Sequence, residues 1–427
     1  MGVCAGAAPR TPRSSSHTGR RMTGAPGQAA RDRRLALTLC LLEMAGMAGT
    51  MTLPALLPHF IPAWGLTGTE AGWLTGVAQL GYVLAVPFLV TGTDRVDPRR
   101  IYVASTLLAA LSLAGFALLA DDFWTALLFR ALGGVGLAGT YMPGLRILND
   151  HLKGPRATRW LSLYTASYGL GVSGSVLLAG WVAAGWGVPA AFWVAAALTA
   201  GTVVAAILLL PPAPPDRPVA EGALLDFRPV LRHKPAMGYI LAYAAHCWEL
   251  FGTRGWLVVF LVFAAGATGA GLTNAEVATF ASLVFLLGIP ASVIGNELAE
   301  RFGRPRYITA VMLTSALAAT AVGFGGGLPF LALALLVTIH VVTVNADSAS
   351  LTVGAVTNAV AGRKGATMAV HSCLGFTGAF LGPVAFGLVL DAAGGPTDAT
   401  AWGIAFMSLG AVVALGPLAL RLARKPA

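Results

Sequence analysis

Five ionisable side chains in this 427-residue sequence stand deep inside apolar runs: Glu43, Arg130, Glu249, Arg254 and Asp347. An ionised group at the centre of a bilayer costs about 2.5–3.5 kcal/mol on insertion scales, so each needs a partner or a water-filled cavity. The three carboxyls are candidates to take up and release protons. The two arginines cannot shed their charge, so each calls for a carboxylate partner or an anionic substrate. His246, Glu249 and Thr253 fall at i, i+3 and i+7, on one helical face. Trp248, Phe251, Trp256 and Phe260 lie around them. One reading is a binding site with a protonatable carboxylate; the other is a structural ion pair among packing aromatics. Asn345, Asp347 and Ser348 form a second polar patch. His340 and His371 read as interhelical hydrogen-bond partners.

Other chemistries lack their residues. There is no G-x-S-x-G, H-E-x-x-H or Walker-type loop, so neither an enzyme nor a nucleotide-driven pump is expected. Cys4, Cys40, Cys247 and Cys373 form no C-x-x-C, and no metal site, cofactor or structural disulfide is expected.

The elements that must position these groups are membrane helices. Of the residues, 56% are hydrophobic and 11% charged, against roughly 25% charged in a soluble domain. Apolar runs of spanning length, about 20 residues, occupy 35–62, 70–91, 101–120, 123–149, 160–184, 188–210, 236–265, 276–298, 306–325, 328–357, 366–391 and 400–423. They do not alternate as barrel strands do. The fold class is therefore all-α and integral to the membrane, with about twelve spans.

The net charge of +10 does not form a nucleic-acid patch. Seven Lys or Arg precede the first span, and others cluster in alternate connections and at the C-terminus, whereas 63–69, 185–187 and 266–275 contain none. This segregation predicts cytoplasmic termini in the plasma or inner membrane. Residues 1–34 are expected to be a disordered tail, with Met22 an alternative start, and 424–427 a second tail. The stretch 211–235 begins with Pro-Pro-Ala-Pro-Pro and reads as a linker between a bundle at 35–210 and another at 236–423. Its Leu224–Leu231 portion is a candidate surface helix. Pro54, Pro58 and Pro62 in span 1 mark a hinge or a packing kink.

The halves share a repeat. Asp94-Arg95 after span 2 corresponds to Glu300-Arg301 after span 8, and the same offset of 206 carries Glu43 onto Glu249 and Gly169 onto Gly375. The segment Asn296-Glu297-Leu298-Ala299-Glu300-Arg301-Phe302-Gly303-Arg304 resembles the G-x-L-a-D-R-x-G-R signature of the major facilitator superfamily, with Asn and Glu for its first Gly and its Asp. Arg130 through Gly136 resembles the family's R-x-x-x-G-x-G. Gly378 through Pro383 resembles its G-x-x-x-G-P, here in span 11 rather than span 5. The resemblance covers residues 35–423.

It implies two pseudo-symmetric six-helix bundles in a monomer, with spans 1, 4, 7 and 10 lining a central cavity. Those are the spans that hold the deep charges. It also favours Asp94, Arg95, Glu300, Arg301 and Arg304 as a conformational latch over solvated topogenic charges. The expected function is proton-coupled carriage of a small anion by alternating access, with Glu43, Arg130, His246, Glu249, Arg254, Asn345 and Asp347 as substrate and coupling residues. The alternatives are proton-driven efflux of amphipathic compounds and a transport-inactive membrane sensor. Nitrate is disfavoured, because the family's nitrate porters are expected to carry an Arg in spans 2 and 8, and neither span here has one deep inside.

Overall fold

The computed structural model describes residues 26–93, 95–152, 155–212 and 227–423. Long apolar runs must satisfy every backbone group internally, and they do so as helices. Eleven helical stretches among the described residues are long and apolar enough to cross a membrane. The remaining expected span, the first, is divided into α1 (Pro26–Gly46) and α2 (Thr52–Trp64). Helix α1 begins at Pro26, ahead of the expected boundary at residue 35. The second and third spans are α3 (Gly68–Gly92) and α4 (Pro98–Leu119). The fourth is divided into α5 (Phe123–Ala138) and α6 (Tyr141–His151), and α7 (Pro155–Trp186) and α8 (Val188–Leu209) follow. Of the candidate surface helix, residues 227–231 lie among the described residues, with α9 at Arg228–Leu231.

The second set runs α10 (Lys234–Thr268), α11 (Asn274–Phe302) and α12 (Arg304–Phe324). Its fourth span is divided at Asp347 into α13 (Phe330–Ala346) and α14 (Ser348–Thr357), the place equivalent to the α5–α6 break. The described residues end with α15 (Lys364–Ala392), α16 (Ala399–Val413), α17 (Gly416–Leu420) and a 3-10 turn.

The break in the first span lies upstream of its prolines. Residues 47–51 turn, and Ser175 of α7 closes the gap: its hydroxyl donates to the Ala48 carbonyl at 2.7 Å and accepts from the Met51 N–H at 3.0 Å. Pro54 has no N–H to return to the Thr50 carbonyl, which is thereby left for another donor.

The two six-helix bundles repeat their packing. Helix α1 lies against α7 and α8 as α10 lies against α15 and α16, and α4 pairs with α8 as α12 pairs with α16. Between bundles, α3 meets α15 and α7 meets α11. Each exchanges the second helix of one bundle for the fifth of the other.

The two ends of the assembly differ. One carries the basic connections that include Arg95, Arg232 and Arg363, and will be called the basic end. The other, with turns at 65–67, 120–122, 187, 269–273, 325–329 and 393–398, has no Lys or Arg and will be called the acidic end. Its carboxylates cap helix N-termini, where the backbone dipole favours negative charge. Asp122 accepts from the Thr125 N–H and hydroxyl, which hold its carboxyl below the usual range. Asp398 likewise caps α16, accepting from Thr400 and Ala401 N–H, and Glu276 in the first turn of α11 accepts back from the N–H and hydroxyl of the capping Thr273.

At the acidic end one hydrophobic core runs through both bundles, joining Leu57 and Val176 to Trp256, Phe260 and Ala281. Toward the basic end the core separates. One cluster, around Tyr102 and Tyr164, belongs to the first bundle, and one, around Ile240 and Met312, to the second. A cavity of about 930 Å³ lies toward the basic end, lined by Val86, Leu145, Thr165, Met368 and Cys373 among others.

Candidate substrate and coupling site

Helix α10 presents two faces. His246, Glu249 and Thr253 are fully buried and turn into the second bundle. The Glu249 carboxylate accepts from the Ser315 hydroxyl of α12 at 2.9 Å, and His340 Nδ1 of α13 lies 4.0 Å from the same oxygen. His340 Nε2 meets the Thr253 hydroxyl at 2.9 Å, so His340 lies between Thr253 and Glu249. One turn away, His246 Nδ1 approaches Asp347 Oδ1 to 2.8 Å, at an angle that gives neither atom an aligned hydrogen bond. Asp347 holds that position because the fourth span breaks there.

The other face carries Tyr243, Cys247, Phe251 and Arg254, at spacings of four, four and three. It looks toward the first bundle and α15. Tyr243 stacks on His371 at 3.9 Å, and Phe251 packs against Phe376. Phe376 in turn stacks on Tyr82 of α3, with centroids 4.1 Å apart. The Arg254 guanidinium lies 5.6 Å from the Phe251 ring centre, a cation–π contact. Its Nε has no hydrogen-bond partner, and no carboxylate pairs with it among the described residues. Tyr168 of α7, in the first bundle, lies within electrostatic reach of it. Trp248 Nε1, on the same helix, is also without a partner. Tyr82 lines the 930 Å³ cavity, so the Tyr82–Phe376 stack lies between that cavity and the Phe251–Arg254 pair.

In the first bundle Glu43 is buried and accepts from the Tyr164 hydroxyl at 3.0 Å, while its Oε1 has no partner. Arg130 donates through Nε to the Leu74 carbonyl at 3.2 Å and through Nη1 to the Thr50 carbonyl at 3.5 Å. The latter is the carbonyl that Pro54 leaves unmatched. Asn345 donates back to the Val341 carbonyl at 2.8 Å and packs against Gly288 of α11. The structure thus groups His246 with Asp347, and Glu249 with His340, while Glu43, Arg130 and Asn345 each stand with other partners.

Of the latch candidates, Asp94 lies outside the described residues. Arg95 is exposed. Arg304 reaches Glu300 at 3.5 Å, the Asn296 side chain at 2.7 Å and the Ser350 carbonyl at 3.2 Å, all within the second bundle. Arg301 lies over the Phe302 ring. A cross-bundle attachment occurs instead at the acidic end. Both oxygens of Asp391 on α15 accept from the start of α3, at 2.7 Å from each of Gly68 N, Thr69 N and Thr69 Oγ1. A Cβ on Gly68 would meet the Gly387 carbonyl at 2.9 Å, so glycine permits this approach. Sequence reasoning missed Tyr164, Ser315 and Asp391, whose residue types carry no signal until their partners are in place.

Two broken-helix bundles around a central charged and aromatic space define a transporter. The chain matches the Major Facilitator Superfamily over residues 39–353 and belongs to it. It is 28% identical over 352 residues to "Probable transporter SCO4007" of Streptomyces coelicolor, covering 81% of this chain and 79% of that protein. A segment of 116 residues is 24% identical to the niacin transporter NiaP of Acinetobacter baylyi, covering 27% of this chain and 26% of NiaP. Among solved structures, a bacterial homologue of the human lysosomal transporter Spinster, inward-facing and unoccupied, superposes with a TM-score of 0.71 at 17% identity, covering 92% of this chain and 95% of that one. The chain is a multi-pass membrane transporter of some solute.

Proposed function

We propose that the protein carries small organic anions, aromatic monocarboxylates above all, across the plasma membrane by alternating the arrangement of its two bundles, with protons as the coupling ion. The observation that carries this reading is Arg254: a permanent cation with no carboxylate partner among the described residues, set over the Phe251 ring beyond the Tyr82–Phe376 stack. A guanidinium matches a carboxylate in two parallel hydrogen bonds, and the surrounding rings match a planar apolar body. Niacin, after which one relative is named, is such a molecule.

Coupling is assigned to the buried carboxyls. Asp347 with His246 and Glu249 with His340 lie on or against the helix that bears Arg254, so a change in their charge acts on the groups that hold α10. Positive charge at the basic end supports a cytoplasmic assignment for it. The open cavity there, the separate latch groups and the Asp391 attachment opposite then correspond to an inward-open state. In the outward-open state Arg95, Glu300, Arg301 and Arg304, with Asp94, would engage across the bundles.

The test is uptake into sealed proteoliposomes. With an imposed pH gradient, nicotinate and benzoate should accumulate, and Arg254→Gln should reduce uptake at least about tenfold, the loss of one charge-assisted pair. Glu249→Gln should abolish gradient-driven accumulation while leaving counterflow exchange partly intact. If Glu249→Gln, Glu43→Gln and Asp347→Asn all retain full gradient-driven transport, carboxylate coupling is wrong. A second reading, efflux of amphipathic compounds, draws on the apolar residues Val86, Leu145, Leu161 and Met368 in a cavity of drug-accommodating size. Transport of a cationic amphiphile unaffected by Arg254→Gln would favour it.

A further inference from the structure

Arg130 does not face the cavity toward the basic end. It lies inside the first bundle, against a separate cavity of about 60 Å³ walled by α1, α3, α4, α5 and α8, and the two cavities share no residue. A guanidinium has five N–H donors. Two protein acceptors meet it, the Leu74 and Thr50 carbonyls, and no carboxylate pairs with it among the described residues. Arg130 lines the cavity, and its guanidinium has more N–H donors than these two carbonyls take up. Glu43, the deep acid of this bundle, is bound to Tyr164 on α7 and does not line the cavity. The volume is several times the ~10–15 Å³ that one water requires. Gly133 and Gly49 keep it open: a Cβ on the first would stand 2.9 Å from the Ser112 hydroxyl, and one on the second would run into Leu113.

A charge in such a place is stable only with a counter-charge or ample hydration. We propose that this cavity is a binding site for a small monovalent inorganic anion, held by Arg130 inside the first bundle and separate from the transported solute. Gln79, buried and with its Oε1 unpartnered, lines the same space and can turn its amide N–H₂ toward the anion. Leu113, Phe116, Phe129 and Phe192 supply apolar lining to the same cavity. An apolar wall and a single cation disfavour strongly hydrated divalent anions and favour weakly hydrated monovalent ones. The anion would tie α5 to the turn at 47–51, because Arg130 also holds the Thr50 carbonyl there.

Anion titration separates this site from Arg254. Purified protein is placed in gluconate and titrated with bromide or sulfate at constant ionic strength while its thermal unfolding midpoint is followed. Bromide should raise the midpoint saturably, with half-saturation at least about tenfold below that of sulfate, the difference expected for one charge-assisted contact. Arg130→Gln should remove the bromide response, Arg130→Lys should retain it in part, and Arg254→Gln should leave it intact. Crystals grown in bromide should show anomalous density beside Arg130, a readout that does not depend on any variant folding. No saturable bromide effect on the unaltered protein, or a response lost in Arg254→Gln and kept in Arg130→Gln, would overturn the proposal. The latter result would leave the anion-carrier reading standing.

Discussion

Tyr164 and Ser315 hold the two repeat-related carboxylates from different directions. Glu43 is met by a phenol on α7, the fifth span of its bundle, and Glu249 by a hydroxyl on α12, the third span of the other. The positions equivalent to these partners at an offset of 206 are Val370 and Ala109, which cannot donate. The repeat therefore keeps the carboxyl but not its environment, and Glu43 has no counterpart of His340. A buried carboxylate deprived of a donor loses about 1–3 kcal/mol. Tyr164→Phe should lower thermal stability by about that amount in the unaltered chain, and by much less in a Glu43→Gln background. Coupling between adjacent groups is what such a double-mutant cycle isolates. Strict additivity would show that Tyr164 serves packing alone, through its stack on Tyr141.

At the scale of elements, the contact between α3 and α15 is held at its acidic end by one carboxylate. Asp391 takes three hydrogen bonds from the first turn of α3, where the helix dipole adds to the attraction. Below it Gly72 and Gly76 bring α3 against the Pro383 and Phe380 carbonyls of α15. A Cβ would stand 2.5 Å from each of those oxygens, so the two helices lie backbone to backbone. Asp391→Asn halves the acceptor capacity and removes the charge. It should shift the population toward the state open at the acidic end, seen as faster modification of a cysteine introduced in place of Thr75, which is buried between α3 and α10. An unchanged rate would assign Asp391 to stability alone. The helices themselves were legible, since a bilayer demands runs of about 20 apolar residues and little else imitates them. The breaks were less so. Proline placed a weak point in the first span, but the break at 47–51 depends on Ser175, which is 127 residues from Ala48. The face of α10 bearing His246, Glu249 and Thr253 was legible as periodicity, yet which face meets the other bundle depends on α3, α7 and α15. Asp391 carried no signal in the sequence because its partner Gly68 is 323 residues away.

The whole molecule is joined at one end and divided at the other. A continuous core links the bundles at the acidic end, and two separate cores flank the cavity toward the basic end. Packed interiors do not deform continuously, so the bundles should move as bodies about the α3–α15 and α7–α11 contacts rather than bend. Two cysteine pairs in a cysteine-free background report this motion: Val96 with Ala361 at the basic end, and Asp121 with Gly327 at the acidic end. All four positions are exposed. Spin-label distances should change in opposite senses when Asp391→Asn is added, the Val96–Ala361 pair closing and the Asp121–Gly327 pair opening. The same positions test sidedness. In intact cells a membrane-impermeant thiol reagent should label Gly327→Cys and not Ala361→Cys, because the basic residues gather at the Ala361 end. Labelling of Ala361→Cys alone would invert the topology and make the cavity outward-facing. Distances that change in the same sense at both ends would replace rocking with a general loosening of the bundles.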